Sequence, residues 1–421
     1  MKQSQLFTKT RKEAPRDEEA KNAQLLIRAG FIHKEMAGVY DILPLGLRVL
    51  RKIEAIIREE MNGLGAHEIQ SSALQKKEVW EQSGRWDDNI VDNWFKTELK
   101  SGQQLGLAFT HEEAVTSIMK SFISSYRDLP TAVYDIRTVF RNEERAKSGL
   151  MRGREFNWKA LYSFARSKEE HDAFYEKVKD AYLRIYEKLG LGGITYLTYA
   201  LGGSFSPYSH EFQTLSEVGE DTIYISDERN IAINEEALSE EVLNDLSLTR
   251  EELREAKAVE VGNIFSLGEK FSRALNLTFK DENGVEQFVY MGSYGIGITR
   301  LMGVIAETMS DERGLIWPES IAPFQVHLLV FGENDTLKIE AENLYHDLKN
   351  AGIEVLYDNR SARPGEKLAD ADLIGIPYRV VLSERSKEQG GVELKERKGD
   401  EVEYIAQDRL LAELQQRIET I

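Results

Sequence analysis

The stretch FRNEERAKSGLMRGREF, Phe140 to Phe156, decides how this chain is read. It opens on Arg141, with Glu143 two residues later. In extended chain residues two apart share a face, so the spacing predicts a strand carrying both groups on one side. A guanidinium can clamp an anionic oxygen with two hydrogen bonds. A carboxylate beside it can accept from an amine or position a metal-bound nucleotide. The polar run ERAKSGLM then reads as a hairpin loop, and Phe156 on the returning strand is placed to stack on a base. An Arg-x-Glu pair alone would equally suit a charged surface hairpin. The loop and the aromatic on its return favour a binding site. From Arg137 to Lys159 seven basic residues (Arg137, Arg141, Arg145, Lys147, Arg152, Arg154, Lys159) face three acidic ones (Glu143, Glu144, Glu155), a local charge of +4 in a chain of −18. The net charge argues against a general nucleic-acid binder; the local excess suits phosphates.

Outward from that stretch, residues 105 to 165 alternate short apolar runs with charge, a pattern of strands bearing functional groups. Within them FTHEEAVT places Thr110 and Glu112 two apart, a hydroxyl and a carboxylate suited to a cationic amine. Thr110 followed by Glu113 also reads as a capping box, and both roles can hold because they use different acids. Downstream, MGSYGIGITR (Met291 to Arg300) reads as a strand, a glycine-rich bend and a helix with Arg300 at its start. Glycines 292, 295 and 297 would admit a ligand close to the backbone, although a plain glycine-rich turn reads the same way. The spacing fits neither the dinucleotide fingerprint nor the P-loop. Residues 44 to 62 are expected to be helical, with Leu50, Ile53, Ile57 and Met61 as the apolar stripe, and so are residues 168 to 189. The acidic stretch 235–260, with nine acidic and three basic residues, reads as a short helical insertion. His111 and His210 have no ligand partner at helical spacing and read as structural or pocket-lining.

The chain has 421 residues, enough for two or three domains. The central region reads as α+β with mainly antiparallel strands. Near residues 317 to 323 the pattern changes: WPESIAPF holds two of only eight prolines, and strand and helix alternate beyond it. That tail reads as a small α/β domain of roughly 100 residues. There are no cysteines, which excludes disulfides, Cys-ligated zinc, iron–sulfur clusters and thiol nucleophiles. No apolar run approaches the ~18 residues of a membrane span, and the first residues lack the apolar core of a signal peptide, so a cytoplasmic protein is expected.

Taken together these segments resemble the class II aminoacyl-tRNA synthetases, specifically the bacterial-type prolyl-tRNA synthetases, nearly end to end. GVYDILPLGLRVLRKIEAIIREEM looks like motif 1, which builds a dimer interface around its proline, here Pro44. FRNEERAKSGLMRGREF looks like motif 2 and GSYGIGITR like motif 3. THEE matches a proline-site signature, and LLIRAGFI, SGRW and GEDTIYIS are further phrases of the family. The resemblance implies an antiparallel catalytic sheet flanked by helices (residues 1–315), then an α/β anticodon-binding domain (residues 316–421). It implies that ATP and proline form prolyl-adenylate, from which tRNA(Pro) takes the prolyl group. Arg141 would then bridge the proline carboxylate and the α-phosphate. Arg300 would clamp the γ-phosphate and cover the adenine, with Phe156 on the other face. Glu143 would contact the adenine amine or the metal-nucleotide, and Arg152, Glu260 and Asn263 would complete the ATP site. Thr110 and Glu112 would hold the ammonium of proline, with Phe265 and Ser293 lining its pocket. Arg145 would meet the acceptor end of the tRNA. Magnesium would arrive with ATP and touch the protein, if anywhere, at Glu260; no residue is assigned as a standing metal ligand.

The chain departs from the family at three places. Ala160 stands where motif 2 carries an acid four residues after the stacking Phe, and Ser293 where motif 3 usually has Cys. Only the acidic stretch 235–260 occupies the place of an editing domain, so a short form that relies on a separate trans-acting deacylase is expected. A threonine-charging relative would need a zinc-binding Cys and His set that is absent. A non-catalytic tRNA- or protein-binding regulator would have lost the motif arginines, and both Arg141 and Arg300 remain. A stand-alone editing factor would need the part that is missing.

Overall fold

In a computed structural model, which describes residues 1–201, 208–332 and 334–419, the chain forms two compact units. One comprises Met1–Met36, Tyr40–Ile53 and Ile305–Ile421; the other comprises Ala37–Val39 and Glu54–Val304. No helix among the described residues is long and apolar enough to cross a membrane.

The larger unit is built on a nine-stranded sheet. Its strands in chain order are β1 (His67–Ile69), β2 (Thr131–Phe140), β3 (Glu155–Ala165), β4 (Thr195–Leu201), β5 (Tyr208–Leu215), β6 (Asp221–Ser226), β7 (Ile231–Asn234), β8 (Arg254–Gly268) and β9 (Tyr290–Gly297). They lie side by side as β5-β4-β7-β6-β8-β9-β3-β2-β1, with β5 also pairing with β8. The pairs are antiparallel except β1–β2 and β4–β7. The helix Lys168–Lys188 covers one face of this sheet; of the stripe its spacing predicts, Val178, Tyr182 and Ile185 are buried and Phe174 is half-buried. Its N-cap is Ser167, whose hydroxyl accepts from the Glu170 amide.

The smaller unit holds a five-stranded sheet: β10 (Val326–Phe331), β11 (Val355–Asp358), β12 (Tyr378–Ser383), β13 (Val392–Glu396) and β14 (Glu403–Ile405), in the order β11-β10-β12-β13-β14. Strands β10, β11 and β12 are parallel, and β13 and β14 return antiparallel. Asp335–Asn350 buries Leu337, Ala341, Leu344 and Leu348 as its periodicity predicts. The closing helix Gln407–Glu419 contributes Leu410 and Leu414 to the same core.

The helix Pro44–Gly63 begins on its proline, whose missing N–H costs nothing in a first turn. Leu50, Ile53, Ile57 and Met61 are at most 3% exposed, so the stripe is buried.

Three local expectations are corrected. Strand β2 ends at Phe140, so Arg141 and Glu143 lie just beyond it. The Glu143 amide donates to the Arg141 carbonyl at 2.8 Å, a turn that ends the extended chain. The glycines of MGSYGIGITR form no bend: β9 runs straight through them into the helix Ile298–Thr308. The acidic stretch is helical only in short turns (Glu235–Ala237, Glu240–Asp245, Arg250–Glu252), and from Arg254 onward it is β8.

Candidate active site

Strand alternation lays a floor. In the pairing of β3 with β9, Trp158, Ala160 and Tyr162 stand opposite Gly297, Gly295 and Ser293. In the pairing of β9 with β8, Gly295 and Ser293 stand opposite Asn263 and Phe265. Residues directly opposite share a face, so Phe156, Trp158, Tyr162, Ser293, Asn263 and Phe265 belong to one surface. Gly295 is required by what lies over it: a Cβ there would sit 2.1 Å from the Trp158 ring and 2.9 Å from Asn263 Oδ1. Ala160, in place of the family's acid, continues this floor opposite Gly295.

Glu260 reaches the same face by a bulge. Three residues apart on a regular strand, Glu260 and Asn263 would point to opposite sides. Between β5 and β8, however, Phe212 pairs with Gly262 and Gln213 with Glu260, leaving Val261 as the extra residue. The parity flips, and Asn263 Nδ2 donates to Glu260 Oε1 at 2.7 Å.

One end of the floor is a cavity of about 270 Å³ lined by Arg141, Glu143, Arg152, Phe156, Glu260 and Arg300 among others. Arg300 is held by backbone oxygens: Nη1 donates to the Glu260 carbonyl at 2.5 Å and Nε to the Met151 carbonyl at 2.8 Å. The Glu260 carboxylate stands 3.5 Å from the same nitrogen. Arg141 makes only long contacts to the Phe109 carbonyl, at 3.4 and 3.5 Å, and its guanidinium lies 5.4 Å and 5.1 Å from the Phe156 and Trp158 ring centres. Burial and the nearby Arg300 charge lower the Arg141 pKa, against the opposing pull of Glu260, Glu143 and Glu112. Two cations facing one cavity make an anion site. Arg152 is paired twice, with Glu143 at 2.9 Å and Glu220 at 2.5 Å.

The other end is a closed polar corner. Glu112 is the first residue of the helix Glu112–Met119, where the helix dipole favours an acid. Its Oε2 accepts from the Thr110 hydroxyl at 2.7 Å and from Arg85 Nη1 at 3.2 Å, and its Oε1 accepts from the Ser293 hydroxyl at 3.1 Å. Burial would raise its pKa, yet the Arg85 charge and the hydrogen bonds from Thr110 and Arg85 hold it below the ordinary value. Its neighbour Glu113, fully buried, is pushed up to about 7 by burial. The capping box is not formed: His111 is the N-cap residue and Glu113 is turned to Ser83 and Arg85. Buried His111 is held near pKa 4, mainly by desolvation, and is therefore neutral. His210 bonds through Nδ1 to the Tyr175 hydroxyl at 2.9 Å, a structural role.

The seven-residue basic cluster does not form one surface. Lys159 alternates to the opposite face of β3 from Trp158, is fully buried, and donates to the Tyr182 hydroxyl and the Tyr294 carbonyl. Arg137 bonds the Ser71 carbonyl, and Arg154 the Glu143 and Ala37 carbonyls. Arg145 and Lys147 are exposed on the loop. The sequence reading missed Arg85, Trp158 and Tyr162. The last two share the parity of Phe156 and could have been found from it. Arg85 had only its SGRW phrase as a signal.

Residues 95–309 match the tRNA synthetase class II core domain (G, H, P, S and T), and residues 325–417 match the anticodon binding domain family. A proline–tRNA ligase of Caulobacter vibrioides is 38% identical over 428 residues, covering 95% of this chain and 96% of the relative. One of Geobacillus sp. (strain WCH70) is 34% identical over 563 residues, covering 98% of each. That alignment exceeds this chain's length by well over a hundred positions, so the Geobacillus protein carries well over a hundred residues that this chain lacks, and the alignment with the Caulobacter protein shows no such excess. The prolyl-tRNA synthetase of Cryptosporidium parvum, solved with halofuginone and AMPPNP, superposes with a TM-score of 0.78 at 18% identity, over 95% of this chain and 77% of that one, and shows the shared fold.

Proposed function

Because the chain belongs to the proline–tRNA ligases, a family of class II tRNA synthetases, we propose that its cavity at Arg141 and Arg300 takes ATP and its corner at Glu112 takes proline. The chain is an ATP-dependent proline–tRNA ligase of the short form. Proline and ATP give prolyl-adenylate and pyrophosphate, and the tRNA 3′ end then takes the prolyl group. In this reading the proline carboxylate attacks the α-phosphorus as the bond to the pyrophosphate oxygen breaks. Proton transfer plays little part, so positioning and charge stabilisation supply the rate.

The observation that carries the assignment is the floor: Ser293 and Phe265 lie at one end of it, and at the other the Arg141 guanidinium stands by the Phe156 and Trp158 rings and that of Arg300 by the Glu260 carbonyl. Thr110, Glu112 and Ser293 receive the secondary ammonium of proline, and Phe265 packs on its ring. Arg141, between corner and cavity, takes the carboxylate and the α-phosphate. Arg300, bound to carbonyls rather than consumed by a close ion pair, is left with its charge for the γ-phosphate. Phe156 stacks on the adenine, and Glu143 and Arg152 border it. Glu260, with one oxygen held by Asn263, offers the hard donor a magnesium ion accepts beside phosphates and water. Such an ion would offset phosphate charge.

In the same reading residues 1–315 serve catalysis, residues 316–421 the anticodon, and Arg145 the tRNA acceptor end. The protein acts in the cytoplasm as a homodimer, with alanine errors cleared by a separate deacylase. Alanine lacks two of proline's ring methylenes, each worth only ~1–3 kcal/mol of discrimination, so some alanine is activated. The test is ATP–pyrophosphate exchange across a panel of amino acids. Proline is expected to support the fastest exchange and alanine a slow one, with threonine inert. Exchange with none of them would leave the non-catalytic reading standing.

A further inference from the structure

Arg85 lies outside motifs 1, 2 and 3, in the SGRW phrase, yet it is paired with the acid of the proposed proline corner. It follows the short helix Lys77–Gln82, and Gly84 before it takes φ +80°, a left-handed turn that L side chains resist. The turn is pinned from both sides: Trp94 Nε1 donates to the Arg85 carbonyl at 2.9 Å, and the Ser83 hydroxyl donates to Glu113 Oε1 at 2.5 Å. The guanidinium carbon then sits 5.2 Å from the ring centres of both Trp80 and Phe109 and 5.5 Å from that of Phe271. From this aromatic seat Nη1 reaches Glu112 Oε2 at 3.2 Å and Glu113 Oε2 at 3.1 Å.

We propose that Arg85 is a positioning residue for the amino-acid substrate: its guanidinium, anchored on Glu113 and the three rings, sets the orientation of the Glu112 carboxylate that receives the substrate's ammonium. The inference rests on the proposed role of Glu112. The geometry supports it by counting. A carboxylate offers about four acceptor sites. Thr110, Ser293 and Arg85 occupy three, which leaves about one acceptor site for the ammonium. The two acids have unequal standing before the one cation: Glu113 is driven toward its neutral form by burial, while Glu112 is kept ionised. Glu113 thus acts as the tether and Glu112 as the working group.

An ordinary buried ion pair would explain the contacts by stability alone. The two roles separate in exchange kinetics with proline and ATP varied independently. Arg85→Lys keeps the charge but loses the planar fork, and Arg85→Gln keeps a donor but loses the charge. Each is expected to raise the KM for proline by about tenfold or more, the scale of one charge-assisted hydrogen bond. The KM for ATP is expected to stay within about twofold. A proline KM unchanged in both variants, or proline and ATP KM rising together, overturns the inference. Glu112→Gln separates it from the reading beneath. If Glu112→Gln raises the proline KM and the Arg85 variants do not, Arg85 alone loses its role; if Glu112→Gln leaves it unchanged, both fall. Combined with Glu112→Gln, Arg85→Lys should add little further loss, because it acts through that carboxylate. A fully multiplicative loss would place Arg85 outside the Glu112 pathway and overturn the inference.

Discussion

Around Glu112 every polar partner is a fixed group of the protein, whereas Arg141, Arg152 and Arg300 face a cavity of about 270 Å³. Burial differs in step: Glu112 is 8% exposed and Glu113 fully buried, while the Arg152 side chain is 40% exposed. A small ligand such as proline has an ammonium with few contacts to offer, so under the proposed function its discrimination would depend on a corner already in place. Triphosphate carries several charges, and a site for it can hold its arginines on carbonyls and acids that the ligand then displaces. A low-dielectric corner and a wetter charged cleft are two solutions to binding opposite charges on one sheet face.

The sharpest way to break this contrast is Arg141→Ala, because the proposed function gives Arg141 a part in both halves. Its charge would sit where the transition state develops negative charge, and loss of one such donor costs ~10²–10³ in rate. Exchange is expected to fall by that factor with the circular dichroism spectrum unchanged. Exchange within a few-fold of the unsubstituted protein would remove Arg141 from the chemistry. A smaller effect is expected at the rim. Arg152→Ala gives up a partly exposed pair with Glu143 and Glu220, the class of interaction worth at most about 1 kcal/mol. The KM for ATP should rise by a few-fold and that for proline should not move. A shift in the proline KM would show that the two halves are not independent.

The smallest effect sharpens the buried half. Glu113 has its pKa raised to about 7, so the folded chain holds a proton that the unfolded chain releases near 4.5. Stability from this group is full below the unfolded value and falls as pH rises through about 7. Glu113→Gln imitates the protonated form. Its melting temperature relative to the unsubstituted protein should therefore climb between pH 5 and pH 8. A difference independent of pH would mean that Glu113 stays ionised and shares Arg85 equally with Glu112.

What could be read from the chain alone was whatever depends on local period. The stripe Leu50, Ile53, Ile57 and Met61 follows the helical repeat. The tail's strands and helices fall where its apolar runs lie, because each element buries one face regardless of its partners. Period two also foretells that Phe156 and Lys159 part company, although a charge count along the chain treats Arg137 to Lys159 as a single patch. Turns were read less well. Arg141 and Glu143 leave the strand through one backbone hydrogen bond, and Gly295 of β9 answers to Trp158 rather than to a bend. Long-range pairing decided the rest. Glu260 joins Asn263 only because one residue of β8 has no counterpart on β5. Arg85 meets Glu112 only because a pinned turn and a helix end are brought together across 27 residues of chain. Neither meeting leaves a periodic trace, since a bulge and a turn-to-helix contact are set by strand register and packing between segments, not by the order of residues within either one.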